Sequence, residues 1–193
     1  MDTVPAKQPV RSSRFRAIVS NILYIGAAIG LAALIQAFII RPFIVSGDSM
    51  HPIIKNKEYL LIDEVSFRFR DPARGEVVVF RSPPEPTKYY IKRIIGLPGE
   101  TVSIKNGVIT IINTERPDGF TLNEPYIVNH LTDTNDYHVP EGSYFVMGDN
   151  RSASYDSRGW GALPQKAIKG RALVRLLPFS RIDYLPGATT YAL

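Results

Sequence analysis

Cysteine is absent from this chain of 193 residues, which excludes a disulfide framework, a thiol nucleophile and thiolate metal sites. Histidine is nearly as scarce. His51, His130 and His138 stand in polar or turn-like surroundings, and no His-Glu-x-x-His spacing is present, so neither a metal nor any other cofactor is expected. Charge of one sign is also in short supply. Lys and Arg number 23 against 18 Asp and Glu, a formal net charge of +5. Four of those basic residues, Lys7, Arg11, Arg14 and Arg16, lie near the N-terminus. Elsewhere the signs are mixed, and no basic stripe interleaved with aromatics marks a nucleic-acid face, so no nucleic-acid partner is expected.

One long apolar run stands out against this background. From Ile18 to Ile40 there is no charged residue, and from Ile22 onward the run is apolar apart from Gln36. As a helix it would span roughly 34 Å at about 1.5 Å per residue, enough to cross a hydrocarbon core. A cleaved signal peptide is the competing reading, but the run is too long and continues through Phe38-Ile39-Ile40 past any small-residue cleavage site. The spacing therefore predicts a basic cytoplasmic tail over 1–17, an uncleaved transmembrane anchor over 18–40, and an extracytoplasmic domain over 41–193. The basic N-terminal cluster, set against Arg41 and the mixed charges of Lys55, Lys57 and Glu58, orients a single-pass protein of the cell membrane with its N-terminus inside. The lipid bilayer is thus an expected partner. Gly26 and Gly30 match a helix-packing pattern, yet small residues are common in membrane helices, and a monomer is expected.

Past the anchor the chain reads as β. Apolar, β-branched and aromatic runs occur at 59–62, 76–80, 89–95, 101–104, 108–112 and 144–147. Turn residues separate them, and Asn106-Gly107 between two such runs is a hairpin signal. Residues 113–140 are polar and turn-rich and read as a loop-rich insertion carrying little core. A helical turn fits around 164–168. The expected fold class is mostly β: an antiparallel β-sheet catalytic domain behind one N-terminal transmembrane helix.

Two side chains in this frame suggest chemistry. Ser49 opens Ser49-Met50-His51-Pro52 just beyond the apolar run, and Lys92 sits in Tyr90-Ile91-Lys92-Arg93. A serine hydroxyl attacks only when a base removes its proton, and lysine serves in known variants of the triad. Such a lysine must be neutral, which burial in an apolar pocket achieves by lowering its pKa from about 10.4. Strand alternation puts Lys92 and Arg93 on opposite faces, so one of them can be buried. Taken singly, Ser49 reads as well as a turn residue, and Lys92 as a solvated strand lysine. A third cluster runs from Gly148-Asp149-Asn150-Arg151 to Ser154-Tyr155-Asp156-Ser157-Arg158. Its carboxylates and guanidiniums can pair and stiffen one loop.

Together these blocks resemble bacterial type I signal peptidases. In that family the serine lies in a Ser-Met-x-Pro block after the anchor. The lysine lies in a Tyr-x-Lys-Arg block followed by Gly-x-Pro-Gly, matched by Gly96-Leu97-Pro98-Gly99, and an earlier strand block is matched by 74–80. The resemblance runs from the anchor to about Gly170. It implies Ser49 as nucleophile and Lys92 as general base. Ser154 is implied to hydrogen-bond the lysine, with Asp149, Arg151, Asp156 and Arg158 supporting the site. The Ser49 N–H is the natural oxyanion donor. Many relatives add a hydroxyl two residues earlier, where this chain has Gly47, so the second donor is open. Phe43, Val45, Met50 and Ile91 are implied as pocket walls for small residues of an Ala-x-Ala site, although from the sequence alone they read equally well as core. Ile53 and Ser152-Ala153 depart from the family pattern without removing a catalytic group.

The implied activity is hydrolysis: a serine endopeptidase with a Ser-Lys dyad that cleaves signal peptides from exported preproteins through an acyl-enzyme. Two rivals stand beside it. A self-cleaving repressor would need a DNA-binding module, for which residues 1–17 are too short. An inactive preprotein-binding subunit would share the fold, but all three implied site side chains are present.

Overall fold

The computed structural model describes residues 11–38, 40–129 and 132–191, with the backbone alone at 11–14, 32–38 and 40. Residues 1–10 of the predicted tail and His130 lie outside the described residues. The chain divides between residues 39 and 40 into two compact units. The first contains the helix α1, Arg11–Phe38, whose side chains from Phe15 to Leu31 are exposed almost throughout. Among the described residues no helix is long and apolar enough to cross a membrane. The side chains of the predicted anchor beyond Leu31 lie outside that description.

The second unit is built on antiparallel strands, as the apolar runs predict. Their ranges are β1 (Ile40–Ile44), β2 (Tyr59–Asp63), β3 (Val77–Arg81), β4 (Tyr89–Gly96), β5 (Thr101–Lys105) and β6 (Val108–Ile112). They continue with β7 (Phe120–Thr121), β8 (Asn135–His138), β9 (Ser143–Met147), β10 (Leu163–Pro164), β11 (Ile168–Leu177) and β12 (Asp183–Tyr184). One sheet runs β1-β2-β11-β3-β4-β9-β10 with β12 against β11, and a second runs β7-β6-β5-β8. Asn106 and Gly107 take φ of 51° and 78° at the β5–β6 turn, which is the left-handed pair a tight hairpin requires. A 3-10 turn occupies Gln165–Ala167.

Three features differ from the sequence reading. Ile40 pairs with Asp63, so the predicted boundary at residue 40 falls inside β1. The ten-residue β11 lies at the centre of the large sheet, between β2 and β3. Its charges hide the alternation, but each is paired: Arg171 meets Asp63 at 3.0 Å and Arg175 meets Glu58 at 3.1 Å. Residues 113–140 are not a core-poor insertion. Leu122, Tyr126, Ile127 and Val139 are buried with Ile95, Ile111 and Phe145. Polar loop residues between these anchors diluted the apolar signal, while the few apolar ones do the packing.

Candidate active site

Ser49 sits in the turn that connects β1 to β2. This loop is closed on itself by Val45 N–H to Glu58 O at 3.0 Å and Lys57 N–H to Val45 O at 2.9 Å. From β11, Arg175 donates to Ile53 O at 2.7 Å, tying the loop to the sheet. Beneath it, Val45, Met50 and Ile54 are buried against Leu60, Ile62, Val79 and Ile91. The serine is thus carried on a loop with its own core.

Lys92 enters from β4, paired across to Val78 on β3. Its amine lies 2.7 Å from Ser49 Oγ and donates to Ile91 O at 3.0 Å. It also stands 5.4 Å from the Tyr90 ring centroid. The residue is only 4% exposed. Burial lowers its pKa from 10.5 to about 8, with the Asp156 and Asp149 carboxylates pulling the other way. Arg93, on the opposite face, is buried as well, so alternation separates the two cations without exposing either.

Arg93 is held by Asp149, with Nε to Oδ1 at 2.8 Å and Nη2 to Oδ2 at 2.7 Å. Its Nη1 donates to Gly75 O at 3.0 Å, to Thr189 Oγ1 at 3.2 Å and to Gly187 O. The guanidinium also packs 4.0 Å from the Tyr126 ring centroid. Burial works against this cation, and Asp149 more than offsets it, holding the guanidinium charged. Arg151 is braced in the same way by Glu124, at 3.0 and 2.5 Å, and its Nε donates to Gly148 O at 3.1 Å. Two buried guanidiniums therefore fix the segment 148–151 from both sides.

That segment touches the serine directly. Asn150 N–H donates to Ser49 O at 3.0 Å, and Gly148 N–H donates to Asp156 Oδ2 at 3.0 Å. Asp156 caps the short helix α2 (Ser157–Trp160) and is gripped by Arg158 at 2.8 and 2.9 Å. Ser154 donates to Asp156 Oδ2 at 2.7 Å. This differs from the implied Ser154–Lys92 contact: among the described residues no hydrogen bond joins the two, because the hydroxyl is taken up by the nearer carboxylate.

Gly148 is pressed between these parts. A Cβ there would stand 2.3 Å from Ser154 Oγ and 2.5 Å from Ser49 O. Gly148→Ala is therefore expected to displace the Ser49 backbone. Overpacking costs about 1–3 kcal/mol, and a misplacement of about 1 Å lowers turnover roughly 100-fold. Comparing kcat with KM for the folded variant checks this, since a displaced nucleophile lowers kcat and leaves KM nearly unchanged.

Above Ser49 lies a cleft of about 230 Å³, lined by Phe43, Ser46, Gly47, Asp48, Ser49, Tyr89, Tyr90, Ile91, Lys92, Ala153 and Tyr155. Phe43 and Ile91 thus wall it as the sequence resemblance implies, whereas Val45 and Met50 lie in the core below. The sequence reading passed over Asp48, Tyr89 and Tyr155 at the rim, Glu124 as the partner of Arg151, and Thr189 as a partner of Arg93. Asp48 and Tyr89 had a usable signal, since each neighbours a motif already singled out. Glu124 and Thr189 had none, because their contacts cross 27 and 96 residues of chain.

A serine hydroxyl set against a desolvated amine in an open cleft can attack an acyl carbon, which is the chemistry of a hydrolase. Sequence comparison makes the class specific: residues 18–177 match the family described as signal peptidase, peptidase S26. The chain belongs to this family and is a peptidase. It is 38% identical to "Probable signal peptidase I-1" of Synechocystis sp., over 92% of this chain and 91% of that one. It is 34% identical to "Signal peptidase I" of Leptolyngbya laminosa, over 96% and 91%. With "Signal peptidase I S" of Bacillus subtilis the identity is 38% over 80% and 86%. A crystal structure of a signal peptidase I from Enterococcus faecalis aligns with a TM-score of 0.44 and 33% identity, over 53% of this chain and 97% of that one.

Proposed function

We propose that the protein is a membrane-bound serine endopeptidase that removes N-terminal signal peptides from exported preproteins, cutting after small residues of an Ala-x-Ala pattern through an acyl-enzyme. The observation that carries this reading is the 2.7 Å contact between Ser49 Oγ and the buried Lys92 amine. A neutral amine has two N–H bonds and one lone pair. With one N–H on Ile91 O, the lone pair turns toward Ser49, and the contact reverses so that Oγ gives its proton to Nζ. Oγ then attacks the scissile carbonyl, the C–N bond breaks, and Lys92 passes the proton to the leaving amine. A water molecule gives its proton to the amine again, attacks the ester and frees Ser49.

The oxyanion formed on the way needs a donor. The Ser49 N–H has no acceptor among the described residues and is free for it. The Gly47 N–H is taken by Asn56 Oδ1 at 3.2 Å. Gly47 has nothing within 4 Å of where a Cβ would stand, which leaves room for the oxyanion. Asp149, Arg151, Asp156, Arg158 and Ser154 act by position: they hold 148–156 rigid behind Ser49, and Ser154 fills the space beside Gly148.

Two free strand edges support an extended substrate. β1 ends the sheet. On β4, Tyr89 to Lys92 pair with β3 on one side, and β9 covers the other side only from Arg93 onward. A peptide laid between these edges would pair its backbone with the enzyme and send alternate side chains down. Phe43 and Ile91 wall the cleft closely enough to favour small side chains there.

The membrane assignment rests on the apolar run and on α1, whose apolar side chains from Phe15 to Leu31 are exposed. A helix apolar on every face suits lipid rather than water. The proposed anchor keeps the N-terminus cytoplasmic and the catalytic unit at the outer face. The test is incubation of the detergent-solubilised full chain with a preprotein bearing an Ala-x-Ala site, beside Ser49→Ala and Lys92→Ala, with the product N-terminus mapped. Cleavage after the final Ala that both substitutions abolish is expected. A folded wild type that cleaves none of several preproteins would point to a binding subunit instead.

A further inference from the structure

The cleft over Ser49 holds one more charged side chain, which the hydrolysis leaves unused. Among the residues lining it, Lys92 and Asp48 alone are charged. The lysine is buried, whereas Asp48 is exposed. The charge that an arriving peptide meets first is therefore negative.

The backbone of Asp48 is fixed while its carboxylate is free. Its carbonyl accepts from His51 N–H at 3.1 Å and from Asn150 Nδ2 at 3.1 Å. The same Asn150 holds Ser49 O through its own N–H at 3.0 Å. Among the described residues no hydrogen bond or ion pair engages the Asp48 carboxylate. Successive Cα atoms are about 3.8 Å apart, so this charge stands within a Debye length, about 8 Å at physiological salt, of a bond attacked by Ser49.

We infer that Asp48 sets a charge preference for the chain that follows the cut, favouring a basic side chain and disfavouring an acidic one in its first two positions. The inference rests on the peptidase reading above. The residues ahead of the cut occupy the gap between the free edges of β1 and β4. The chain beyond Ser49 leaves over the 46–49 turn, Ala153 and Tyr155, where Asp48 faces it. An unpaired carboxylate at that range attracts one sign and repels the other through water-like surroundings, so its effect is moderate and sensitive to salt.

The experiment uses the full chain in nonionic detergent and one Ala-x-Ala preprotein carrying Lys, Gln or Glu at the first or second position after the cut. kcat/KM is measured for wild type, Asp48→Asn and Asp48→Lys at low and high salt. The wild type is expected to prefer Lys over Glu by about five- to tenfold at low salt, the preference shrinking as salt screens it. Asp48→Asn should flatten the series and Asp48→Lys should invert it. An identical Lys-to-Glu ratio in all three proteins would overturn the inference, as would a charge effect confined to positions ahead of the cut. If no preprotein is cleaved by any of them, the peptidase reading itself falls and takes the inference with it.

Discussion

Lys92→Met is expected to remove cleavage while making the protein more stable. The amine is buried and its pKa is lowered from 10.5 to about 8, chiefly by desolvation. At neutral pH it is mostly charged, and holding that charge in the fold costs on the order of 3 kcal/mol, at about 1.36 kcal/mol per pKa unit. Methionine fills the same unbranched space without a charge. It forfeits the contacts to Ser49 Oγ and Ile91 O, and a lost buried hydrogen bond costs about 1–3 kcal/mol. The net gain is about 1 kcal/mol.

The sign with pH follows from the same shift. The folded pKa lies below the unfolded one, so the unfolded chain binds more protons between about pH 8 and pH 10.5. Native stability therefore rises with pH across that window, and the methionine variant lacks this rise. Activity should fall by at least about 1,000-fold, because the hydroxyl loses its base. Lys92→Arg, always charged, should be equally inactive without the gain in stability. Unfolding in urea at pH 7 and 10, beside kcat/KM, checks both halves. A methionine variant within tenfold of wild-type activity would exclude Lys92 as the base.

The second large effect concerns Asp149, which makes no contact with Ser49 or Lys92 through a hydrogen bond among the described residues. Asp149→Ala leaves Arg93 charged, fully buried and without its carboxylate. Breaking a buried pair from one side costs about 3–5 kcal/mol. Gly75 O, Gly187 O and Thr189 Oγ1 still accept from Arg93, so the lower part of that range applies. For a domain of this size such a loss lowers Tm by roughly 10 °C. Removing the guanidinium too, as in Arg93→Met with Asp149→Leu, should recover most of it, since an apolar pair of similar volume is often no worse than a buried ion pair. A single variant destabilised by under about 1 kcal/mol would mean that the segment 148–151 is not held through this pair.

Much of the fold could be read from local pattern. The six apolar runs each became a strand, because period-two alternation and turn residues act over a few positions. β11 escaped notice because Lys169, Arg171 and Arg175 interrupt its apolar sequence, and only the distant acids Asp63 and Glu58 make two of those charges buriable. Its Gly170 has a similar origin: a Cβ there would stand 2.3 Å from Asp63 O on the neighbouring strand. β1 was hidden for another reason, since Ile40 to Ile44 continues the apolar run of the helix.

The candidate site was legible as blocks but not as contacts. Ser49, Lys92 and the 148–158 cluster could be named from motif order. Ser154 bonding to Asp156, Val45 and Met50 lying beneath the cleft, and Glu124 reaching Arg151 all depend on how separate segments meet. Spacing along a chain carries no information about such meetings. The polar loop 113–140 shows the same limit, for its four buried apolar residues are spread too thinly to form a periodic pattern.

The most direct test of the Ser49–Lys92 dyad is the dependence of kcat/KM on pH for cleavage of one preprotein by the full chain. The base works when neutral, so the rate should climb as pH rises and reach half its plateau near the value of about 8 set by burial of Lys92. A rate already level from pH 6 to pH 10, or one that falls across that range, would contradict the dyad.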